Sequence, residues 1–217
     1  MMTVDIFRSP RKRGKIAVFL SGRGSNFMAL HDAVTQGRIN ADIDLVFSNK
    51  KEARGLTIAR ERSLKTLFLN PKDFASRDDY DQRVGEVIKE SGIDLICLAG
   101  YMRILTEGFC RSFLNRIINI HPALLPCFPG LHVQQKAIDW GVRFSGVTVH
   151  FVTPEVDMGP IILQAAVPVL QDDTEESLSD RILKEEHRIY PEAVRLYFEG
   201  KLEVRGRRVF IMENSSP

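Results

Sequence analysis

The feature that most constrains this chain is the way short apolar runs alternate with glycine turns and helical stretches in its first hundred residues. Lys15-Ile16-Ala17-Val18-Phe19-Leu20 reads as a buried strand and leads straight into Ser21-Gly22-Arg23-Gly24-Ser25-Asn26. A helical pattern follows over about 27–36, then a strand over 43–48, a helix over 53–63 and a short strand over 66–69. A helix over 80–91 carries Val84, Val87 and Ile88 on one face, and 93–99 is a continuous apolar strand. Strands without polar alternation belong in a parallel sheet covered on both faces. Strand–helix alternation of this kind predicts an α/β, doubly wound, mostly parallel sheet.

The texture changes further along. Residues 116–118 form a β-type run, and Pro122, Pro126 and Pro129 crowd the loop that follows. Residues 146–152 and 161–170 read as extended and antiparallel, giving the sheet an antiparallel C-terminal part. Asp172-Asp173-Thr174-Glu175-Glu176 is an acidic start signal for a long helix reaching about Phe198. Residues 200–211, with Gly206 central, suit a terminal hairpin. Residues 1–14, with Arg8, Arg11, Lys12 and Arg13 around Pro10, read as a flexible basic arm, and 15–217 as a single domain.

Within this frame, Asn119-Ile120-His121-Pro122 carries the chemistry. Alternate strand residues share a face, so Asn119 and His121 can enter one pocket. An amide donor stabilises a developing oxyanion, and an imidazole moves protons. Asp157, in Val156-Asp157-Met158-Gly159-Pro160, supplies a carboxylate able to orient the imidazole. The loop at Gly22 and Gly24 is an anion site by position, since backbone N–H groups and a helix dipole converge there. It lacks the Lys of a Walker sequence and the third glycine of a dinucleotide fingerprint. That leaves a simple phosphate cradle at Gly24, Ser25 and Asn26, or a tight turn. The three cysteines are widely spaced, matching neither a disulfide framework nor a zinc pattern. A formal net charge of +2 argues against nucleic acid and membrane partners. No metal is indicated, and the expectation is a reduced, cytoplasmic protein.

Together the glycine loop, Asn119, His121 and Asp157 resemble the folate-dependent phosphoribosylglycinamide formyltransferase family. The resemblance runs from Lys15 to about Gly200. It also takes in Phe47-Ser48-Asn49-Lys50, residues 98–105 and 119–130, Val149-His150-Phe151-Val152 and Glu186-His187-x-x-Tyr190-Pro191. It implies a formyltransferase-like Rossmann variant and formyl transfer from 10-formyltetrahydrofolate to the amine of glycinamide ribonucleotide in purine biosynthesis. It implies Asn119, His121 and Asp157 as the catalytic group. Gly24, Ser25 and Asn26 would hold the ribose phosphate, and Glu186 the ribose side. Arg77, Met102, Arg103, Ile104, Leu105, Asn119, Thr153, Pro154, Glu155, Val156 and Asp157 would meet the folate. A cis Leu125–Pro126 bond is expected in the proline loop. Cys127 and Phe128 replace a common Lys-Tyr pair, Gln134 a common His, and Leu183 a polar residue near the phosphate. Formyltetrahydrofolate hydrolase and a non-catalytic phosphate-binding module are the alternatives. The sequence leaves oligomeric state open, a homodimer being one option.

Overall fold

The computed structural model describes residues 13–213. In chain order these form β1 (Gly14–Leu20), α1 (Ser25–Thr35), β2 (Ala41–Ser48), α2 (Arg54–Glu61), β3 (Thr66–Phe68), α3 (Arg77–Glu90), β4 (Leu95–Leu98) and α4 (Glu107–Ser112). They continue as β5 (Ile117–His121), α5 (Val133–Asp139), β6 (Phe144–Phe151), β7 (Ile161–Pro168), α6 (Glu175–Phe198), β8 (Leu202–Arg205) and β9 (Arg208–Ile211). The described strands make one sheet in the order β3-β2-β1-β4-β5-β6-β7-β9-β8. β1 to β5 pair in parallel, and β6 runs antiparallel to both β5 and β7. The terminal hairpin joins β7 through a single parallel bridge, Ile161 with Arg208. This is the doubly wound sheet with an antiparallel C-terminal part that the sequence predicts.

β1 shows why the sheet is covered on both faces. Ile16, Val18 and Leu20 enter a core with Phe27, Leu30, Leu56 and Tyr190, from α1, α2 and α6. Ala17 and Phe19 enter another with Tyr80, Val84, Phe109 and Phe113, from α3 and α4. A strand buried on both sides has no solvent face and therefore no polar alternation. The chain leaves β1 for β2 on one side and returns through α3 to β4 on the other. The carboxyl ends of β1 and β4 therefore flank a topological switch point, where open α/β sheets bind ligands.

Helix boundaries follow their caps. The Ser76 hydroxyl accepts from Asp79 N, so α3 begins at Arg77, one turn before the start expected from its apolar face. Thr174 and Ser177 form a reciprocal capping box that starts α6. The arm boundary moves as well. Gly14 is the first residue of β1, and Arg13 bonds to Ala41 O and pairs with Asp42. A Cβ at Gly14 would lie 2.1 Å from the Phe198 ring, so α6 packs directly over this backbone. Residues 13 and 14 thus belong to the folded domain, and residues 1–12 of the expected arm lie outside the described residues.

Candidate active site

Three segments meet at the carboxyl ends of β1, β4 and β5. The first is the turn from β1 to α1. Gly24 caps α1 with φ 82°, and no side chain caps the helix. Its first-turn N–H groups are therefore left for solvent or a ligand, and the first turn of α1 holds no acidic residue. A Cβ on Gly24 would come within 2.9 Å of Gly55 Cα, and Gly55 N donates to Gly22 O at 3.0 Å. The loop is thus clamped against α2 by backbone alone. Asn26 is buried at the base of the cradle, its Nδ2 donating to Glu186 Oε2 at 2.5 Å. The Asn26 Oδ1 has no partner. Burial holds the Glu186 carboxyl above the usual range, and the Asn26 bond opposes that shift.

The second segment is the loop after β4, tied to the first through Ser21. Its backbone N donates to Gly100 O, and its hydroxyl donates to Asn49 Oδ1 at 2.6 Å and accepts from Met102 N at 2.8 Å. The two loops therefore hold a common position. Met102 and Ile104 are exposed beyond it, apolar groups left facing solvent at the switch point. At two of the expected folate positions the side chain turns inward. Leu105 is buried in the core beneath α3 and α4. The Arg103 guanidinium lies 4.5 Å from the Tyr80 ring centroid, a cation–π contact that holds it under the loop. Arg77 donates to Ile104 O at 2.8 Å, bracing the loop backbone.

The third segment brings the chemistry together. Asn119 and His121 are both in β5, which extends further than the expected β run and carries them on the same face. Asp157 lies in the loop between β6 and β7 at φ 55°, a left-handed position that short polar side chains tolerate. Its Oδ2 is 3.5 Å from His121 Nδ1 and accepts from Gly130 N at 2.9 Å. His121 Nε2 faces Phe128 O at 2.9 Å. A carbonyl only accepts, so Nε2 carries a proton, and Nδ1 is the atom turned to the carboxylate. Thr153, Pro154, Glu155 and Val156 lie in the same β6–β7 loop, with Glu155 and Val156 exposed. A Cβ on Gly159 would meet Phe151 O at 1.7 Å, so the return of this loop to β7 requires glycine.

The proline loop is fastened from below. Thr148 Oγ1 donates to Ala123 O at 2.7 Å and accepts from Leu125 N at 3.0 Å. Gln164 Nε2 reaches both Leu125 O and Thr148 Oγ1 at 2.9 Å. Leu125–Pro126 is cis, as expected. These fastenings, the Phe128 carbonyl and His150 are parts of the site that sequence reasoning did not assign. His150 stands opposite Asn119 in the β5–β6 register, beside an irregularity in β6–β7 pairing. Strand register supplies its partner, Asn119. Among the described residues, no group of His, Cys, Asp and Glu is arranged to hold a metal ion.

An amide, an imidazole and a carboxylate beside an anion-ready helix start make a site suited to group transfer between two small molecules. The chain belongs to the formyl transferase family, whose profile matches residues 14–194. Two of its relatives are phosphoribosylglycinamide formyltransferases. That of Haemophilus influenzae is 39% identical over 94% of this chain and 96% of its own length. That of Escherichia coli is 42% identical over 87% of this chain and 89% of its own. The crystal structure of glycinamide ribonucleotide transformylase 1 from Symbiobacterium toebii matches with a TM-score of 0.92 and 49% identity, covering 94% of this chain and 96% of that one. The chain is also 49% identical, over 88% of its length, to the trifunctional purine biosynthetic protein adenosine-3 of Drosophila melanogaster, but spans only 14% of that protein.

Proposed function

We infer that this chain transfers the formyl group of 10-formyltetrahydrofolate to the amine of glycinamide ribonucleotide, a step of purine biosynthesis. The observation that carries this reading is Asn119 and His121 on one face of β5, with Asp157 brought to 3.5 Å from His121 from the β6–β7 loop, beside a phosphate-ready turn. The long, nearly end-to-end similarity to phosphoribosylglycinamide formyltransferases supports the same substrates. The ribose phosphate binds at the backbone N–H groups of Gly24, Ser25 and Asn26, and Glu186 meets the ribose. The folate lies against Met102 and Ile104 and under the loop holding Thr153 to Asp157, with the backbone at Arg103 and Leu105 as its other wall. The reaction runs in the cytoplasm on small molecules. A near-balanced charge fits that setting, as does the absence, among the described residues, of a helix long and apolar enough to cross a membrane.

The acceptor amine attacks the formyl carbon, forming a C–N bond and placing a negative charge on the former carbonyl oxygen. Asn119 donates an N–H to that oxygen. His121, oriented by Asp157 and Phe128 O, exchanges a proton at Nδ1 with the reacting groups. The amine gives up a proton and the folate nitrogen takes one as its bond to carbon breaks. Carbon, charge and protons then balance. Asn119→Ala, His121→Ala and Asp157→Ala each test the assignment. Loss of one oxyanion donor typically lowers kcat by about 100- to 1000-fold. The triple variant should lose far less than the product of the single effects, since the groups act as a unit. A single variant with near-wild-type turnover would remove that residue from the mechanism.

A further inference from the structure

We propose that His150 is a positioning residue for formyl transfer: its Nε2 accepts a hydrogen bond from the Asn119 amide and fixes that amide with its second N–H free for the formyl oxygen. The ring's other nitrogen sets the tautomer. His150 Nδ1 lies 2.8 Å from Phe151 O, which can only accept, so Nδ1 carries a proton. In the neutral ring Nε2 is then a bare acceptor. Asn119 Nδ2 stands 3.2 Å from it. An Asn119 amide turned the other way would set its oxygen against that lone pair. One N–H is thereby spent on His150, and the geometry of an amide sends the other about 120° away.

The surroundings keep the ring in this state. His150 is 2% exposed. The charged and titratable groups facing it are Asp157, with Oδ1 3.8 Å from Nε2, and His121. Burial is the largest influence and holds the imidazole below its usual range, outweighing the Phe151 carbonyl and Asp157. The cross-strand register fixes the partners, since Asn119 pairs with His150 across β5 and β6. A preorganised donor costs nothing to reorient when charge develops, which is the source of its catalytic value.

This inference rests on the reading of Asn119 as the oxyanion donor, and its test separates the two. Three proteins are compared: wild type, His150→Phe, which keeps a ring but removes the acceptor, and His150→Gln, whose Oε1 restores one. Formyl transfer is measured with both substrates varied, and the 15N-labelled Asn119 side chain is observed by NMR in each free protein. His150→Phe should lower kcat by roughly 10- to 100-fold, less than outright loss of the donor. Both KM values should stay within about twofold, because the interaction matters in the transition state. His150→Gln should recover most of the rate. One Asn119 amide proton should move toward free-amide shifts in His150→Phe and return in His150→Gln. Near-wild-type kcat in His150→Phe, parallel rises in both KM values, failure of Gln to rescue, or an unmoved Asn119 signal would each overturn the proposal. Wild type inactive in formyl transfer would instead overturn the functional reading, leaving the NMR comparison to judge the hydrogen bond by itself.

Discussion

Gly24 and Gly22 lie two residues apart in the same turn, yet they should respond very differently to alanine. At Gly24 the backbone sits at φ 82°, where an L side chain costs about 1–2 kcal/mol. The added Cβ would also lie 2.9 Å from Gly55 Cα. That neighbour is backbone, itself pinned by the Leu20 side chain, which a Cβ on Gly55 would meet at 2.5 Å. Relief must come from the loop moving, an overpacking cost of about 1–3 kcal/mol. Together Gly24→Ala should cost about 2–5 kcal/mol. In a domain of this size, that lowers Tm by roughly 4–20 °C, at about 2–4 °C per kcal/mol. The same shift carries the first N–H groups of α1 away from the phosphate, so the KM for the ribonucleotide should rise at least about tenfold while the folate KM changes little. At Gly22, φ is not positive and a Cβ meets nothing within 4 Å. Gly22→Ala should leave Tm within a degree or so, about the ±0.5 kcal/mol of an ordinary surface change. Thermal unfolding and steady-state kinetics of both variants decide the matter. Equal behaviour of the two, or equal damage to both KM values in Gly24→Ala, would refute the backbone-clamp argument.

Two further outcomes follow from buried polar groups. Thr148→Val keeps the shape but removes the hydroxyl shared by Ala123 O, Leu125 N and Gln164. It should destabilise by about 1–3 kcal/mol through the unpaired Leu125 N–H, and lower kcat by loosening the loop under His121; unfolding curves and turnover will show both. Glu186→Gln tests the buried carboxyl. Its folded pKa is raised by burial above the ordinary 4.5, so its contribution to stability is full below 4.5 and is lost as pH climbs through the raised value. The variant should therefore gain Tm over wild type at neutral pH and lose that advantage near pH 4, while its ribonucleotide KM rises. A Tm difference independent of pH would contradict the assignment.

The early half of the fold is legible in the sequence because burial there is strong and periodic. β1 and β4 announce themselves as continuous apolar runs, β2 by its apolar second half after Asp44, and the change to antiparallel pairing after the proline loop is readable in β6 and β7. Short elements escape this reading. α4 has six residues and α5 seven, fewer than two full turns, and α5 is entered from a left-handed His132 with no side-chain cap. No apolar period can accumulate over such lengths. The start of α3 carried a signal, Ser76 three residues before Asp79, that a reading of apolar positions passes over. At the site, Asn119, His121 and Asp157 are recognisable by residue type and spacing. The side-chain directions of Arg103 and Leu105 are not, because turning under their own loop depends on Tyr80 and the α3–α4 core. His150 stands in a recognisable stretch, but its pairing with Asn119 appears only once strand register is known.

Formyl transfer at this site should move one carbon from folate to a phosphoribosylated amine. The most direct measurement supplies 10-formyltetrahydrofolate labelled in the formyl carbon, with and without glycinamide ribonucleotide, and follows both folate release and the fate of the label. Release is expected only when the ribonucleotide is present, with one folate for each formyl group found on it, and the reaction should be lost in His121→Ala. Release at the same rate without the ribonucleotide, with the label recovered as formate, would contradict that transfer and make water the acceptor.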